Sequence, residues 1–107
     1  MHKHERRRLL AQKDILTFLN NHLTYLQEEY NISKIGLIGS FAREEQTEQS
    51  DVDILFEFKL GTKDVYEKKT KLRLYLSTNF DRDVDLCREK YLKPYIRDHL
   101  NKEVIYV

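Results

Sequence analysis

Three aspartates in two short acidic segments are the residues of this chain whose types and spacing suit them to chemistry. Asp51 and Asp53 flank a single valine, and Asp85 lies near the end of residues 81–87. Carboxylate oxygens are hard ligands, and Mg²⁺ is commonly held by one or two of them together with the phosphates of a substrate. The aspartates therefore predict a magnesium site, provided that the fold brings the two segments together.

A turn suited to binding phosphate precedes the first two aspartates. Residues 34–39 are largely apolar and bracketed by glycines, which predicts a buried strand that ends in a tight turn. Gly39 lacks the Cβ that would keep a phosphate away from the backbone, and Ser40 offers a hydroxyl near the start of a helix expected over residues 41–45. Because glycine and serine are common in turns, the prediction of a phosphate site depends on Asp51, which follows Ser40 after ten intervening residues.

The segment 51–58 alternates with the period of a β-strand. Asp51, Asp53 and Glu57 share one face. The other face is apolar and carries Val52, Ile54, Phe56 and Phe58. Two carboxylates at this spacing lie about 6–7 Å apart at Cα, so their repulsion opposes folding unless a cation is bound. The alternative interpretation is a solvated sheet face that nearby lysines and arginines balance.

A third carboxylate is needed if the site is to orient or deprotonate a nucleophile. Residues 81–87 also alternate, and their apolar positions would pack inward, which leaves Asp83 and Asp85 on the opposite face. A neighbouring strand would bring one of these two beside the first pair of aspartates. Periodicity alone leaves both as candidates.

The composition bounds the class of protein. With 107 residues, the chain is expected to form one small domain, with an N-terminal helix in residues 1–32 and a catalytic core in residues 33–107. A net charge of +1 argues against nucleic-acid binding through bulk electrostatics. The single cysteine, Cys87, is expected to be a buried small residue in a protein of the reducing cytoplasm. We expect no signal peptide and no membrane span.

The first helix has the strongest helical periodicity in the chain. Its apolar residues recur at three- and four-residue steps from about Arg7 to Tyr30. His22 lies on that apolar stripe, so we expect a packed or hydrogen-bonded residue rather than a metal ligand. The basic residues 6–8 would contact RNA or an acidic partner, or form a solvated helix start.

Helices and strands are expected to alternate through the rest of the chain. Asp64 and Glu67 resemble a capping box that opens a helix ending near residue 77. Pro94 fits the first turn of a helix over about residues 91–100, and residues 103–107 predict a last strand. This order favours an α/β fold in which helices pack against a mixed β-sheet and the acidic face lines the open side.

Two motifs resemble a known family. Residues 37–43, Leu-Ile-Gly-Ser-Phe-Ala-Arg, followed by residues 50–55, Ser-Asp-Val-Asp-Ile-Leu, are similar to the motifs of the minimal nucleotidyltransferase (MNT) family of the polymerase-β-like superfamily. The resemblance continues through residues 84–86, Pro94 and residues 103–107. It therefore covers most of the chain after the first helix.

The resemblance implies a role for each matching position. Gly39 and Ser40 would hold the phosphates of a nucleotide, and Asp51 and Asp53 would bind two Mg²⁺ ions. Asp85 is favoured as the third active-site carboxylate and metal ligand.

One position departs from the family pattern. The family usually has glycine after Ala-Arg, and this chain has Glu44. Glu44 would restrict a tight backbone there or extend the helix. Next to it, Arg43 is expected to contact the triphosphate or an acidic partner surface, or to pair with Glu45 or Glu48.

The resemblance also implies a reaction and a partner. Related proteins are commonly encoded beside an all-helical toxin of the HEPN ribonuclease type and act as its antitoxin. The donor would be ATP, the acceptor a tyrosine hydroxyl of the toxin, and the reaction an in-line attack on the α-phosphorus with departure of pyrophosphate. Two alternatives stay open, namely neutralisation by occlusion without catalysis, and transfer to RNA or a small-molecule alcohol. With no added domain, the chain must obtain substrate recognition from a partner or from a second copy of itself.

Overall fold

The computed structural model describes residues 9–107. The predicted helix start near Arg7 and the basic residues 6–8 lie outside this part of the chain. The helices are α1 (Gln12–Asn21), α2 (Leu23–Glu29), α3 (Gly39–Ala42), α4 (Val65–Phe80) and α5 (Pro94–Asn101). The strands are β1 (Ile32–Ile38), β2 (Val52–Phe58), β3 (Val84–Arg88) and β4 (Ile105–Tyr106). No helix within the described residues is long and apolar enough to cross a bilayer.

The four strands form one mixed sheet in the order β3-β2-β1-β4. Strand β1 pairs antiparallel with both β2 and β4, whereas β2 and β3 are parallel. Parallel neighbours need a long crossover connection, and α4 lies in the connection between β2 and β3. The predicted α/β fold with a mixed sheet is therefore confirmed, and the parallel pair sets the segment 51–53 beside the segment 83–85.

One face of the sheet carries the hydrophobic core. The predicted inward residues of β2 all belong to it: Val52, Ile54, Phe56 and Phe58. Helices α1, α2 and α4 cover this face with fully buried side chains: Ile15, Leu19, Leu26, Leu72 and Leu76. Burial of each such side chain contributes about 1.5–3 kcal/mol. The acidic positions that alternate with the core residues are thereby kept on the opposite face, where the candidate site forms.

The N-terminal segment is two helices and not one, so the predicted continuous helix is wrong. The break falls at His22, which lies between α1 and α2. Its backbone angles, φ −110° and ψ 14°, are not helical. The His22 Nδ1 lies 2.8 Å from the carbonyl oxygen of Phe18, and the two rings stack with centroids 4.0 Å apart. His22 is thus a packed, hydrogen-bonded residue, as predicted.

The ends of α4 and α5 also differ from the prediction. Asp64 has a left-handed backbone (φ 57°) and its side chain makes no capping hydrogen bond, so the predicted capping box is wrong. A capping side chain requires an extended backbone to reach the helical N–H groups. Pro94 is the first residue of α5, as predicted, but residues 89–91 form a separate 3₁₀ turn before it.

Helix α3 is a single turn that ends earlier than predicted. It spans Gly39–Ala42, and Glu44 follows with φ 57° in the left-handed region. Left-handed backbone disfavours residues that carry a Cβ. Glu44 therefore does not extend the helix, and the glycine usual in the family would suit this backbone better.

We expect the substitution Glu44→Gly to raise the free energy of unfolding by about 0.5–1 kcal/mol, because it relieves the left-handed strain at some cost in chain entropy. Urea denaturation measures the change. The matched control is Glu28→Gly inside α2, which should lower the free energy of unfolding by about 1 kcal/mol. A loss of stability in Glu44→Gly would contradict the interpretation.

Candidate active site

Asp53 and Asp85 lie side by side on neighbouring strands. They are direct partners in the parallel register of β2 and β3, and adjacent strands are about 4.8 Å apart. Both line a cavity of about 370 Å³ together with Gly39 and Arg43. The fold thus brings together four of the six predicted site residues, which come from three segments, namely α3 with the residue that ends it, β2 and β3.

Gly39 makes room for Asp53. Its backbone has φ 77°, and a Cβ built on it would overlap Asp53 Oδ2 and lie 3.0 Å from the Asp53 Cβ and Cγ. Any other residue at position 39 would therefore be strained and would also displace the Asp53 carboxylate. The backbone N–H of Gly39 donates to Glu103 Oε2 at 2.7 Å. The absence of a Cβ at position 39 therefore leaves the space that the Asp53 carboxylate occupies.

The Asp53 carboxyl is held in an environment that disfavours its charge. Partial burial raises its pKa above the ordinary value, and the nearby charges of Asp85 and Asp51 raise it further. Arg43 acts in the opposite direction but does not cancel these effects. A carboxyl whose pKa is raised by burial and by neighbouring acids is typical of functional sites, and a bound cation would relieve the repulsion here.

Glu57, on the same face of β2, provides a contrast. Its carboxylate accepts hydrogen bonds from Arg88 Nη2 at 2.6 Å and from the backbone N–H of Lys90 at 2.9 Å. Burial acts to raise the pKa of Glu57, but these hydrogen bonds outweigh it and hold the pKa below the ordinary value. Glu57 is thus neutralised by the protein, whereas Asp53 faces other acids.

Asp51 and Ser40 do not line the cavity of Asp53 and Asp85. Strand β2 begins at Val52, so the prediction that Asp51 lies within the strand is wrong by one residue. Asp51 is exposed and lines a neighbouring cavity of about 500 Å³ that also includes Asp83. Its charge still reaches Asp53. Of the two candidates for the third carboxylate, Asp85 is therefore the one that shares a cavity with Asp53.

Three residues at the site were missed by sequence reasoning. Glu103, Cys87 and His99 all line the cavity of Asp53 and Asp85. Cys87 was predicted to be a buried small residue, but it is only half-buried, and this partial burial raises the pKa of its thiol. The alternation of residues 83–87 placed Cys87 on the acidic face and was a usable signal. Glu103 and His99 had no such signal in the sequence.

Arg43 lies at the edge of the same cavity. Its Nη1 lies 3.0 Å from Glu103 Oε1, and its Nε lies 3.0 Å from Glu45 Oε1. The pair with Glu45 is one of the predicted alternatives. The pair with Glu103 was not predicted, since 60 residues separate the two partners.

Two side chains outside the cavity fix the loops that carry the site. Gln12 of α1 donates from Nε2 to the carbonyl oxygens of Phe41 and Ala42, at 3.1 and 2.9 Å, and so caps the end of α3. Arg82 donates from Nη1 to the Ser50 carbonyl oxygen at 3.1 Å, directly before Asp51. These contacts hold the turn and the first aspartate in place.

The donor set fits Mg²⁺ shared with a nucleotide. No group of three or more histidine, cysteine, aspartate or glutamate side chains within residues 9–107 is arranged to hold a metal by itself. Mg²⁺ needs no such protein cage, because one or two carboxylates and substrate phosphates commonly complete its coordination. Asp53 and Asp85 offer two adjacent carboxylates, and their repulsion favours a cation between them.

The raised pKa of Asp53 predicts that Asp53→Asn stabilises the metal-free protein at neutral pH. A carboxyl whose pKa is raised on folding favours the folded state at low pH, and this stabilisation is lost as the pH rises through the folded pKa. Asparagine carries no charge at this position and so removes that loss, which should raise the melting temperature at neutral pH. Thermal unfolding in EDTA should show the gain at pH 7 and its disappearance below about pH 4. A variant less stable than the wild type at pH 7 would contradict the assignment.

Known proteins are similar in sequence to this chain along most of its length. Residues 19–107 match the family described as nucleotidyltransferase domain. The chain is 42% identical over 95 residues to a Methanocaldococcus jannaschii protein provisionally named a protein adenylyltransferase, with 88% of this chain and 95% of that protein covered. It is 34% identical over 99 residues to the protein adenylyltransferase MntA of Thermococcus cleftensis, covering 92% of this chain and 98% of the relative.

Solved structures share the fold. A structure provisionally described as a minimal nucleotidyltransferase superposes with a TM-score of 0.77 at 25% identity, covering 92% of this chain and 98% of that one. A complex of tri-AMPylated Shewanella oneidensis HEPN toxin with MNT antitoxin contains a chain that superposes with a TM-score of 0.58 at 17% identity, covering 90% of this chain and 71% of that one. At that identity the second likeness shows the fold alone.

Proposed function

Since this chain belongs to the nucleotidyltransferase domain family as a minimal nucleotidyltransferase, we propose that it transfers AMP from ATP to a tyrosine hydroxyl of a HEPN-type toxin and thereby acts as its antitoxin. Two curated relatives carry names for AMP transfer to protein. Asp85, which lines the cavity with Asp53, is exposed, so a residue of a partner protein can reach this cavity from the surface.

The observation that carries the proposal is the pairing of Asp53 with Asp85 across parallel strands beside Gly39. Two adjacent carboxylates in one cavity suit a reaction in which negative charge moves between phosphate oxygens, because they can hold a cation there. Asp51 is close enough to raise the pKa of Asp53. We assign all three aspartates to magnesium binding, with Asp53 and Asp85 nearest to the reacting phosphate.

The reaction forms one bond and breaks one. The tyrosine oxygen attacks the α-phosphorus of ATP in line with the bond to the β-phosphate oxygen, and pyrophosphate leaves with that oxygen. Mg²⁺ held by the aspartates would neutralise the charge that develops on the attacking and leaving oxygens. Asp85 accepts the proton of the tyrosine hydroxyl or orients it. Ser40 donates to the phosphates from the start of α3, and Arg43 donates to the triphosphate from the edge of the cavity.

Transfer of radiolabel tests the proposal. Purified chain is mixed with Mg²⁺, ATP labelled at the α-phosphate and the HEPN-type protein encoded beside it. We expect label on the partner and its loss when the modified tyrosine is changed to phenylalanine. The absence of transfer to any residue of the partner would overturn the proposed function.

The double variant Asp51→Asn with Asp53→Asn separates catalysis from occlusion. It removes two charges with little change in side-chain size. If the chain acts by catalysis, the double variant should no longer neutralise the toxin in cells. Full neutralisation by the variant would show that binding alone is sufficient and that AMP transfer is not the antitoxin mechanism.

A further inference from the structure

Glu103 links the phosphate turn to Arg43 through a single carboxylate. Its Oε2 accepts the Gly39 N–H at 2.7 Å, and its Oε1 accepts Arg43 Nη1 at 3.0 Å. The side chain is 14% exposed and lines the cavity of Asp53 and Asp85. Its backbone is fixed as well, because the Glu103 N–H donates to the Leu100 carbonyl oxygen at 3.0 Å. The carboxylate therefore joins the segment before β4 to two parts of the site.

A third acid lining this cavity needs a physical reason. Glu103 adds negative charge where Asp53 already meets Asp85 and Asp51, and it contributes to the raised pKa of Asp53. Neutral glutamine would accept the Gly39 N–H without that repulsion. What glutamine cannot provide is a counter-charge for Arg43. The negative charge of Glu103 is therefore explained by its ion pair with the Arg43 guanidinium.

Arg43 is a competitor for the aspartates. It lines the same cavity as Asp53 and Asp85, and its charge already acts on Asp53. A guanidinium pairs with carboxylates in a bidentate geometry, so an unrestrained Arg43 would neutralise the groups proposed to bind Mg²⁺. Among the described residues, its ion pairs are instead with Glu103 and Glu45. Glu45 is exposed and would by itself hold Arg43 weakly.

We propose that Glu103 is a positioning residue that holds Arg43 at the edge of the cavity, away from Asp53 and Asp85, and fixes the Gly39 backbone beside them. The proposal rests on the proposed function, because it assigns the two aspartates to Mg²⁺. Two hydrogen bonds engage only part of the guanidinium, which has five N–H donors. Arg43 therefore keeps donors for a triphosphate while the aspartates stay available to the metal.

The three glycines of the chain make a direct test feasible. Protein labelled with ¹⁵N-glycine gives one amide signal each for Gly36, Gly39 and Gly61. In the wild type, the charged acceptor should shift the Gly39 amide proton downfield, and Glu103→Gln should move it upfield. Glu45→Gln is the matched control, since it removes the other partner of Arg43 and should leave the Gly39 signal in place. An unchanged Gly39 signal in Glu103→Gln would overturn the proposal.

Titration with Mg²⁺ tests the restraint of Arg43. With the Gly39 signal as the reporter, Glu103→Gln should require about fivefold more Mg²⁺ for half-saturation, because the released guanidinium competes for the aspartates. Adding Arg43→Gln to Glu103→Gln should restore the wild-type value. Equal Mg²⁺ binding in Glu103→Gln and wild type, or no restoration in the double variant, would overturn the proposal.

The two failures are distinguishable. If the glycine signals of the wild type do not shift on addition of Mg²⁺, either without nucleotide or with a non-hydrolysable ATP analogue, the proposed metal site is wrong. The proposed function would then be contradicted as well. In that case the comparison of the Gly39 signal between wild type and Glu103→Gln still decides whether the carboxylate fixes the turn. Circular dichroism of each variant checks that the fold is retained.

Discussion

Replacing Asp85 with asparagine is expected to slow AMP transfer by about 10³-fold, since the change removes a carboxylate proposed to hold the Mg²⁺ that neutralises the reacting phosphate. Asp85 is the register partner of Asp53 and lines the same cavity. Asparagine has nearly the same size, so the sheet should fold as before. Initial rates with ATP labelled at the α-phosphate measure the effect at saturating Mg²⁺.

Asp83→Asn is the matched control for Asp85→Asn. Asp83 lies two residues earlier on the same acidic face in the sequence, but it lines the neighbouring cavity with Asp51. Its loss should change the transfer rate by less than about fivefold, as expected for an exposed charge near a site. If Asp83→Asn abolished transfer while Asp85→Asn retained it, the assignment of the third carboxylate would be reversed.

Gly39→Ala should be the second most damaging single change. The methyl group would overlap Asp53 Oδ2, and the backbone at φ 77° disfavours any residue with a Cβ. We expect a loss of about 1–3 kcal/mol in the free energy of unfolding and a loss of transfer of at least about 10²-fold. Urea denaturation and the labelled-ATP assay measure the two effects on the same preparation.

Gly61→Ala separates backbone strain from displacement of Asp53. Gly61 has a similar φ of 82°, but nothing lies within 4 Å of a Cβ built there. Gly61→Ala should therefore destabilise the protein by about 1–2 kcal/mol while leaving the transfer rate of the folded protein unchanged. Equal losses of transfer in Gly61→Ala and Gly39→Ala would show that global strain, and not contact with Asp53, explains the effect.

The sheet was predictable because its strands carry strong local patterns. The alternation of residues 51–58 and 83–87 follows from burial of one face, and the order of helices and strands followed from it. Most of the errors in the predicted fold lie at helix ends. The helix breaks at His22, whose ring stacks on Phe18, and the backbone is left-handed at Asp64 and Glu44. Hydrophobic periodicity gives no information about such backbone angles.

The candidate site was predictable where the motif is local in sequence. Gly39 and Asp53 follow from a turn and an alternating strand, whereas the second alternating strand left Asp83 and Asp85 both open and the family resemblance favoured Asp85. The parallel register explains why Asp85 rather than Asp83 lies beside Asp53. Glu103 was not predictable, because its contact with Gly39 spans 64 residues and needs the position of β4 beside β1. A lone glutamate before a short strand gives no sign of such a contact.

The most direct test of the account is the position of the metal in crystals grown with Mn²⁺ and a non-hydrolysable ATP analogue. We predict an anomalous scattering peak about 2.1 Å from carboxylate oxygens of Asp53 and Asp85 and from a phosphate oxygen of the nucleotide. A nucleotide bound with no metal at these aspartates, or with the metal in the cavity of Asp51 and Asp83 alone, would contradict the account.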